Sequence, residues 1–302
     1  MKSAVKIASF AAMAINNITT FPQKTSNSID IVTLSVKEDF PVFFDDHGLY
    51  TILTHVQNVR SVTIIGRQQE KQQVIERILK MTTSVPIHFV DETFFKVKFN
   101  NAWPPPYPKV FQQLIKLHVF ELPWLLNNVL IVDSDTAWSK NVQFIHNNGT
   151  RILYFNEVTS PQSCTGMDPT RWVNTLLPQP CEIISCAKRH ILHHMVFQRD
   201  VMHHMHNTLN EKWGTQSAWQ AIHKCWNTQN QCRGRVSEYK AYYQFAKAYY
   251  ERRIIDKTLH TSQFIGASGN CSTSEMLTCA KKNVILKGCH DHRKNNKHLG
   301  LC

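Results

Sequence analysis

No apolar run in this 302-residue chain approaches the ~18 residues that a membrane-spanning helix requires. No C-x-x-C pair occurs, which speaks against a zinc ribbon or a thioredoxin-like redox site. There is no H-E-x-x-H, and no cysteine stands at zinc-ligand spacing, so the histidines at 190, 193, 194, 203, 204 and 206 read as a polar helix face rather than a zinc centre. Repeats and low-complexity segments are missing. So is a basic stripe interleaved with aromatics, which leaves nucleic acid without a recognisable reader despite a net charge of +12. The basic residues are dispersed, apart from "KKNVILKGCHDHRKNNKH" near the end. Most serve solubility, and the excess suits a phosphorylated small molecule or an acidic glycan as well as it suits nucleic acid.

Cysteine is absent from the first half. All nine lie at or beyond Cys164. Cys225 and Cys232, in "CWNTQNQC", read as disulfide partners in a loop, and sequons stand at Asn17, Asn148 and Asn270. Together they favour the secretory lumen, Golgi or ER, where thiols oxidise. A reducing compartment with scattered free thiols is the other reading. Residues 1–28 form an N-terminal arm. Lys2 and Lys6 before "IASFAAMAI" have the plan of a secretory signal, and equally that of a frayed amphipathic end.

The length suits one α/β domain, residues 29–302, with a core that needs no staples. Strands are expected at 29–36, 61–67, 85–92, 129–135 and 151–157. A helix is expected over 68–81, where Val74, Ile75, Ile78 and Leu79 share a face. "NAWPPPYP" blocks helix and sheet, and Pro108 opens the next helix. The second half is less regular and richer in helix, with one expected from about Met195, others at "SAWQAIHKCW" and "SEYKAYYQFAKAYYERR", and strands at "CEIISCAK" and "NVILKGCH". Strands alternating with helices imply a mostly parallel central sheet flanked by helices, with its ligand at the carboxyl ends.

One stretch departs from ordinary core patterning. "NVLIVDSDTAWSK" runs four apolar residues, Val129 to Val132, into Asp133 and Asp135. Residues two apart on a strand share a side. Two like charges facing one way need a cation between them, and hard oxygen ligands suit Mn²⁺ or Mg²⁺ shared with phosphates. A solvated turn with two surface acids is the plain alternative. Ser35 and Arg67 end the first two strands in the same row. Gln113 and Lys116 share a face of the preceding helix, where the lysine either reaches a phosphate, buttresses the aspartates or faces solvent. Ser237 and Glu238 open a strong helix, so Glu238 is either a dipole-favoured acid after an N-cap or a carboxylate facing the ligand.

An apolar strand, D-S-D, then a hydrophobic or aromatic residue resembles the D-x-D motif of GT-A glycosyltransferases. "WPPPYPKVFQQLIKL", "VLIVDSDT", "HHMVFQRDVM" and "SEYKAYYQF" are similar, in order, to blocks of a poorly characterised family of nucleotide-sugar transferases. The resemblance spans roughly residues 29–290. "GTQSAWQAIHKCWNTQNQCRGR" has no counterpart in it, so the acceptor side is not carried over. The resemblance implies a GT-A, Rossmann-like fold and Mn²⁺ (or Mg²⁺) held by Asp133 and Asp135 against the diphosphate of a UDP- or GDP-sugar. It implies a glycan or glycoconjugate acceptor. His290 or His292 completes the metal shell, Ser134, His193 and His194 touch donor or acceptor, and Glu238 with Asp135 serves catalysis.

Two rivals share some of these features. Haloacid-dehalogenase-like phosphatases also end a strand in D-x-D, but Ala137 follows Thr136 where their motif wants Thr or Val, and the nearest acidic pair, Asp45 and Asp46, lies upstream. A non-catalytic glycan-binding protein on the same fold would have no use for intact paired acids.

Overall fold

The computed structural model describes residues 27–45, 48–99, 108–138, 140–146, 151–157, 169–178, 188–189, 194–229, 232, 237–258, 261–264 and 286–289. In chain order the first half carries β1 (Ile29–Leu34), α1 (Gly48–His55), β2 (Val59–Gly66), α2 (Lys71–Leu79), β3 (Ile87–Asp91), α3 (Thr93–Lys98), α4 (Pro108–Leu117) and β4 (Asn128–Asp133). Then come β5 (Thr136–Trp138), β6 (Arg151–Glu157), α5 (Pro169–Leu176), β7 (Lys188–Arg189), β8 (His194–Gln198), α6 (Arg199–Trp213), α7 (Ala218–Thr228), α8 (Glu238–Tyr250), β9 (Ile254–Thr258), β10 (Thr261–Phe264) and β11 (Leu286–Cys289).

The central sheet has five strands in the order β3-β2-β1-β4-β8. The first four run parallel, and β8 is antiparallel to β4. β1 and β4 are buried along nearly their whole length, as strands covered on both faces by helices must be. Smaller sheets, β10-β11-β5 and β7-β6-β9, complete the mixed α/β architecture.

The strand order reverses at β1. From β1 the chain steps outward to β2 and β3, then returns to place β4 on the other side of β1. Right-handed crossovers therefore carry α1 and α2 to one face and α4 to the opposite one. The carboxyl ends of β1 and β4 flank the crevice at this switch point, where open α/β sheets bind ligands. Leu34 pairs with Asp133 in register, so Ser35 and the D-S-D turn emerge side by side. β2 crowds the same edge. A Cβ on Gly66 would sit 3.0 Å from the Ser35 carbonyl oxygen and 3.2 Å from the Phe89 ring, so a side chain there would push these neighbours apart by a few tenths of an ångström.

The amino edge is closed by a buried ion pair. Arg60 donates Nε–H and Nη2–H to Asp30 at 2.8 and 2.6 Å, Ser61 Oγ–H adds a bond at 2.7 Å, and the Leu126 amide adds one at 2.6 Å. Asp30 is wholly buried, and a buried carboxylate is tolerated when its lone pairs are met in this way.

One expected element is different. Met195 to Gln198 belong to strand β8, and the helix begins only at Arg199. A short apolar run is ambiguous between strand and buried helix. Here the free edge of β4 takes it, and all five residues of β8 are buried. Of the strand expected at "CEIISCAK", the described residues include only Lys188, in β7. Cys225 and Cys232, expected as partners, are joined, with Cα atoms 5.7 Å apart.

α4, α6 and α8 pack together on one face. Between α4 and α6 two imidazoles stack, His118 on His206, with ring centres 4.7 Å apart. His118 Nδ1–H donates to the Leu114 carbonyl at 2.9 Å, and His206 Nε2–H donates to that of Leu117 at 3.1 Å. A carbonyl only accepts, so each tautomer is set. The Phe99 ring closes over His118. Burial pushes His118 down to about 4, only partly opposed by its bond to Leu114 and by Glu121. Burial, then the neighbouring His118, pushes His206 well down.

Both rings are therefore neutral in the fold. Above pH 6.5, the ordinary histidine value, they are neutral in the unfolded chain as well, and their stability contribution is complete. As pH falls towards about 4 the unfolded chain alone takes up these protons, and stability drops. For His118 this amounts to about 3 kcal/mol. Urea denaturation from pH 7 to 4 should show the loss, and His118→Leu should flatten it. An unchanged slope in that variant would remove His118 from the linkage.

Candidate active site

The site is assembled by two helices that meet the end of β4. α4 buries Val110, Leu114, Ile115 and Leu117 in the core. Lys116 stands in its last turn, where the helix dipole favours a cation. α8 begins after Ser237, whose hydroxyl accepts the Lys240 amide at 3.3 Å. It is seated on β8 by Tyr242, whose hydroxyl accepts the Gln198 amide at 2.9 Å. Glu238 and Tyr239 thus open α8 beside the carboxyl edge, and an acid in a first helical turn is favoured by the dipole.

Lys116 Nζ donates to Asp133 Oδ1 at 2.6 Å and to Glu238 Oε1 at 2.7 Å. The Tyr239 hydroxyl donates to the same Asp133 oxygen at 2.9 Å, and the Lys116 ammonium lies 4.6 Å from the Tyr239 ring centre. Burial by itself pushes Lys116 down. The carboxylates of Asp133 and Glu238 outweigh it and hold the ammonium well above its ordinary range. Burial pushes Glu238 up, against the pull of Lys116, and Asp133 adds to the rise. Burial and Asp133 likewise keep the Tyr239 phenol protonated and so a donor.

Asp133 Oδ1 therefore has both lone-pair directions engaged, and any further ligand of Asp133 must meet Oδ2. Ser134 is turned the other way. Its hydroxyl donates to Asp39 Oδ2 at 2.5 Å. Burial raises Asp39, opposed by the bonds from Ser134 and Val36, and the charge of Asp135 raises it further. Lys116 has two carboxylate partners, Asp133 and Glu238, while Asp39 feels the charge of Asp135. Carboxylate oxygens of this kind are hard donors, which fit Mn²⁺ or Mg²⁺. No three Asp, Glu, His or Cys side chains among the described residues are placed to hold an ion by themselves. The rest of a coordination shell would come from a diphosphate, from water or from elsewhere in the chain.

The other expected site residues divide. Ser35 is buried at the edge of the crevice. Arg67, its side chain 44% exposed, lies 3.8 Å from Glu70 and reaches the same edge from β2. Gln113 is half-buried, one turn before Lys116. Ser134 commits its hydroxyl to Asp39. His194 pairs with Val132 one strand over and is 1% exposed. Its ring packs on Trp138 and Phe144. His193, His290 and His292 lie outside the described residues, as do Asn17, Asn148 and Asn270. Two residues enter that sequence reasoning missed. Nothing in the sequence signals Tyr239. Asp39, an acid four residues past a strand end in the row of Ser35, was open to the argument applied to Ser35. A cavity of about 610 Å³ between α1 and the end of α2, lined by Phe44, Tyr50, Arg77 and Lys80 among others, touches none of these groups.

No protein-family model and no curated protein matches the sequence. Solved structures similar in fold include glycosyltransferases. Apo mouse xyloside xylosyltransferase 1 aligns with a TM-score of 0.49 at 8% identity, over 86% of this chain and 97% of that one. The bifunctional glycosyltransferase WbbM aligns at 0.46 and 11%, over 91% of this chain, which spans 47% of that protein. An active-site mutant of LgtC aligns at 0.46 and 9%, over 86% of each chain. These values transfer no residue role.

Lys116→Met should cost about 3–5 kcal/mol, the scale for breaking a buried pair from one side. Adding Glu238→Gln should recover part of that loss, because one uncompensated charge disappears. Urea denaturation of both variants checks this, and simple additivity would place the side chains outside a common network.

Proposed function

We propose that the protein is a metal-dependent glycosyltransferase of GT-A type, moving a sugar from a nucleoside-diphosphate sugar to a hydroxyl of a glycan or glycoconjugate. The observation that carries this reading is the acid pair Asp133 and Asp135 at the β1/β4 switch point, with Asp133 held from behind by Lys116 and Tyr239.

Asp133, through Oδ2, and Asp135 would hold a divalent ion. Mn²⁺ or Mg²⁺ bound there supplies Lewis-acid neutralisation of the departing nucleoside diphosphate. The protein's own share is orientation. Lys116 and Tyr239 remove the rotational freedom of the Asp133 carboxylate before any ligand arrives, which lowers the reorganisation left for binding. Glu238 has one oxygen on Lys116 and a side chain 5% exposed, so it serves as a positioning group for that lysine. Arg67, at the mouth of the crevice, is placed to meet nucleotide phosphate or ribose.

In a thermal-shift panel, UDP- or GDP-sugars with Mn²⁺ should raise the melting temperature, and beryllofluoride with Mg²⁺ should not. Asp135→Asn should remove the Mn²⁺ response and lower transfer at least a hundredfold while leaving the fold intact. Wild-type turnover and metal response in that variant would overturn the assignment.

We infer a secretory-lumen location for the same protein, supported by the buried Cys225–Cys232 disulfide, a bond that persists in oxidising compartments. Mass spectrometry of protein secreted from eukaryotic cells should find that bond and a glycan on Asn148. Free thiols together with a bare asparagine would point to the cytosol.

A further inference from the structure

We propose that Asp39 is a positioning residue for cation binding, acting through Ser134 on the two carboxylates that flank it. The inference rests on the metal-dependent reading above. Asp39 ends the short helical turn Lys37–Asp39 that follows β1. Its Oδ2 accepts the Ser134 hydroxyl at 2.5 Å and the Val36 amide at 3.4 Å, so the carboxylate is anchored to its own turn as well as to the turn after β4. Ser134 is 6% exposed, and its hydroxyl proton is directed at this acceptor.

The geometry makes this one bond consequential. Asp133 is the last residue of β4 and Thr136 the first of β5, so Ser134 and Asp135 form the whole connection. Ser134 and Asp135 are turn residues, so a bond that pins Ser134 restrains the backbone on either side of it. Pinning Ser134 therefore limits how far both aspartates can move. β1 and β4 are already joined in register up to Leu34 and Asp133. The Ser134–Asp39 bond continues that joining past the last pair of the ladder, across the crevice mouth. Lys116 and Tyr239 fix Asp133 from one side. They do not reach Ser134, and the Asp39 bond supplies the constraint there.

The test reads Mn²⁺ affinity of the full chain by electron paramagnetic resonance of the unbound ion, without nucleotide or acceptor. Ser134→Ala and Asp39→Ala should each weaken Mn²⁺ binding about tenfold, the scale of one hydrogen bond to a charged acceptor. The double variant should be no weaker than either single one, because both remove the same bond. Asp39→Asn keeps an acceptor oxygen and should stay within about threefold of wild type. A purely structural role would lower the melting temperature and leave the affinity unchanged. Should Asp39→Ala fail to fold, Ser134→Ala, which deletes a single oxygen, carries the test. Wild-type protein that takes up no Mn²⁺, either alone or with UDP or GDP added, overturns the metal-dependent reading and this inference together; where uptake needs the nucleotide, the variants are compared with that nucleotide present. Mn²⁺ binding in wild type with undiminished affinity in Ser134→Ala overturns this inference alone, as does additivity in the double variant.

Discussion

A single buried ammonium, that of Lys116, holds together what would otherwise repel. It bridges Asp133 at the end of β4 and Glu238 at the start of α8, the lysine and the glutamate lying 122 residues apart in sequence. It stands at the C-terminal end of one helix, and Glu238 at the N-terminal end of another, so both helix dipoles favour the charges they carry. Coulombic attraction in a partly dry site then exceeds the cost of burying the lysine, which is why it stays charged. The orientation of α4 against α8, and through Tyr242 of α8 against β8, is set around this pair.

The two edges of the central sheet treat charge in opposite ways. At the amino edge Asp30 meets a guanidinium, a hydroxyl and a backbone amide, and the cluster is balanced. At the carboxyl edge the Lys116 ammonium is shared by two carboxylates, Asp133 and Glu238. Both clusters are close to the core and both are hydrogen-bonded, but Asp30 and Arg60 balance one to one, whereas Lys116 serves two acids. A fold optimised for stability alone would treat the edges alike. Excess charge of one sign at the switch point is a local violation of that economy, and such violations concentrate where ligands bind.

The sheet was legible in the sequence because its parallel strands are short, continuous apolar runs punctuated by polar turns, a pattern with few alternatives. β1, β2, β3 and β4 fall within a residue or two of where the runs place them. β8 was not legible. Met195 to Gln198 run directly into a helix, and only the unfilled edge of β4, a tertiary fact, selects the extended form. The site divides in the same way. Asp133 and Asp135 stand out because two acids end an apolar strand. The helix pattern left Lys116 open between phosphate, the aspartates and solvent, and its turn inward to two carboxylates depends on α8 arriving from residue 238. Tyr239 has no signature at all, since its role exists only once α8 is docked.

The D-S-D turn carries two like charges with a single residue between them. As a scale, like charges ~6 Å apart at an effective dielectric of ~20 repel by about 3 kcal/mol, and burial together with the charge of Asp135 raises Asp39. Lys116 relieves Asp133, and a proton taken up by Asp39 would relieve part of the remainder, consistent with the direction in which burial and Asp135 push it. A divalent cation relieves both carboxylates of the motif at once. On the proposed function, whatever repulsion the two carboxylates bear would be released on binding and would add to cation affinity, since a ligand stabilises the native state by the difference it makes to that state alone. The hydrogen bonds from Lys116, Tyr239 and Ser134 thus do more than stabilise the edge. They restrain Asp133 and the turn after it in the folded chain, which would leave less reorganisation for a ligand to bring about.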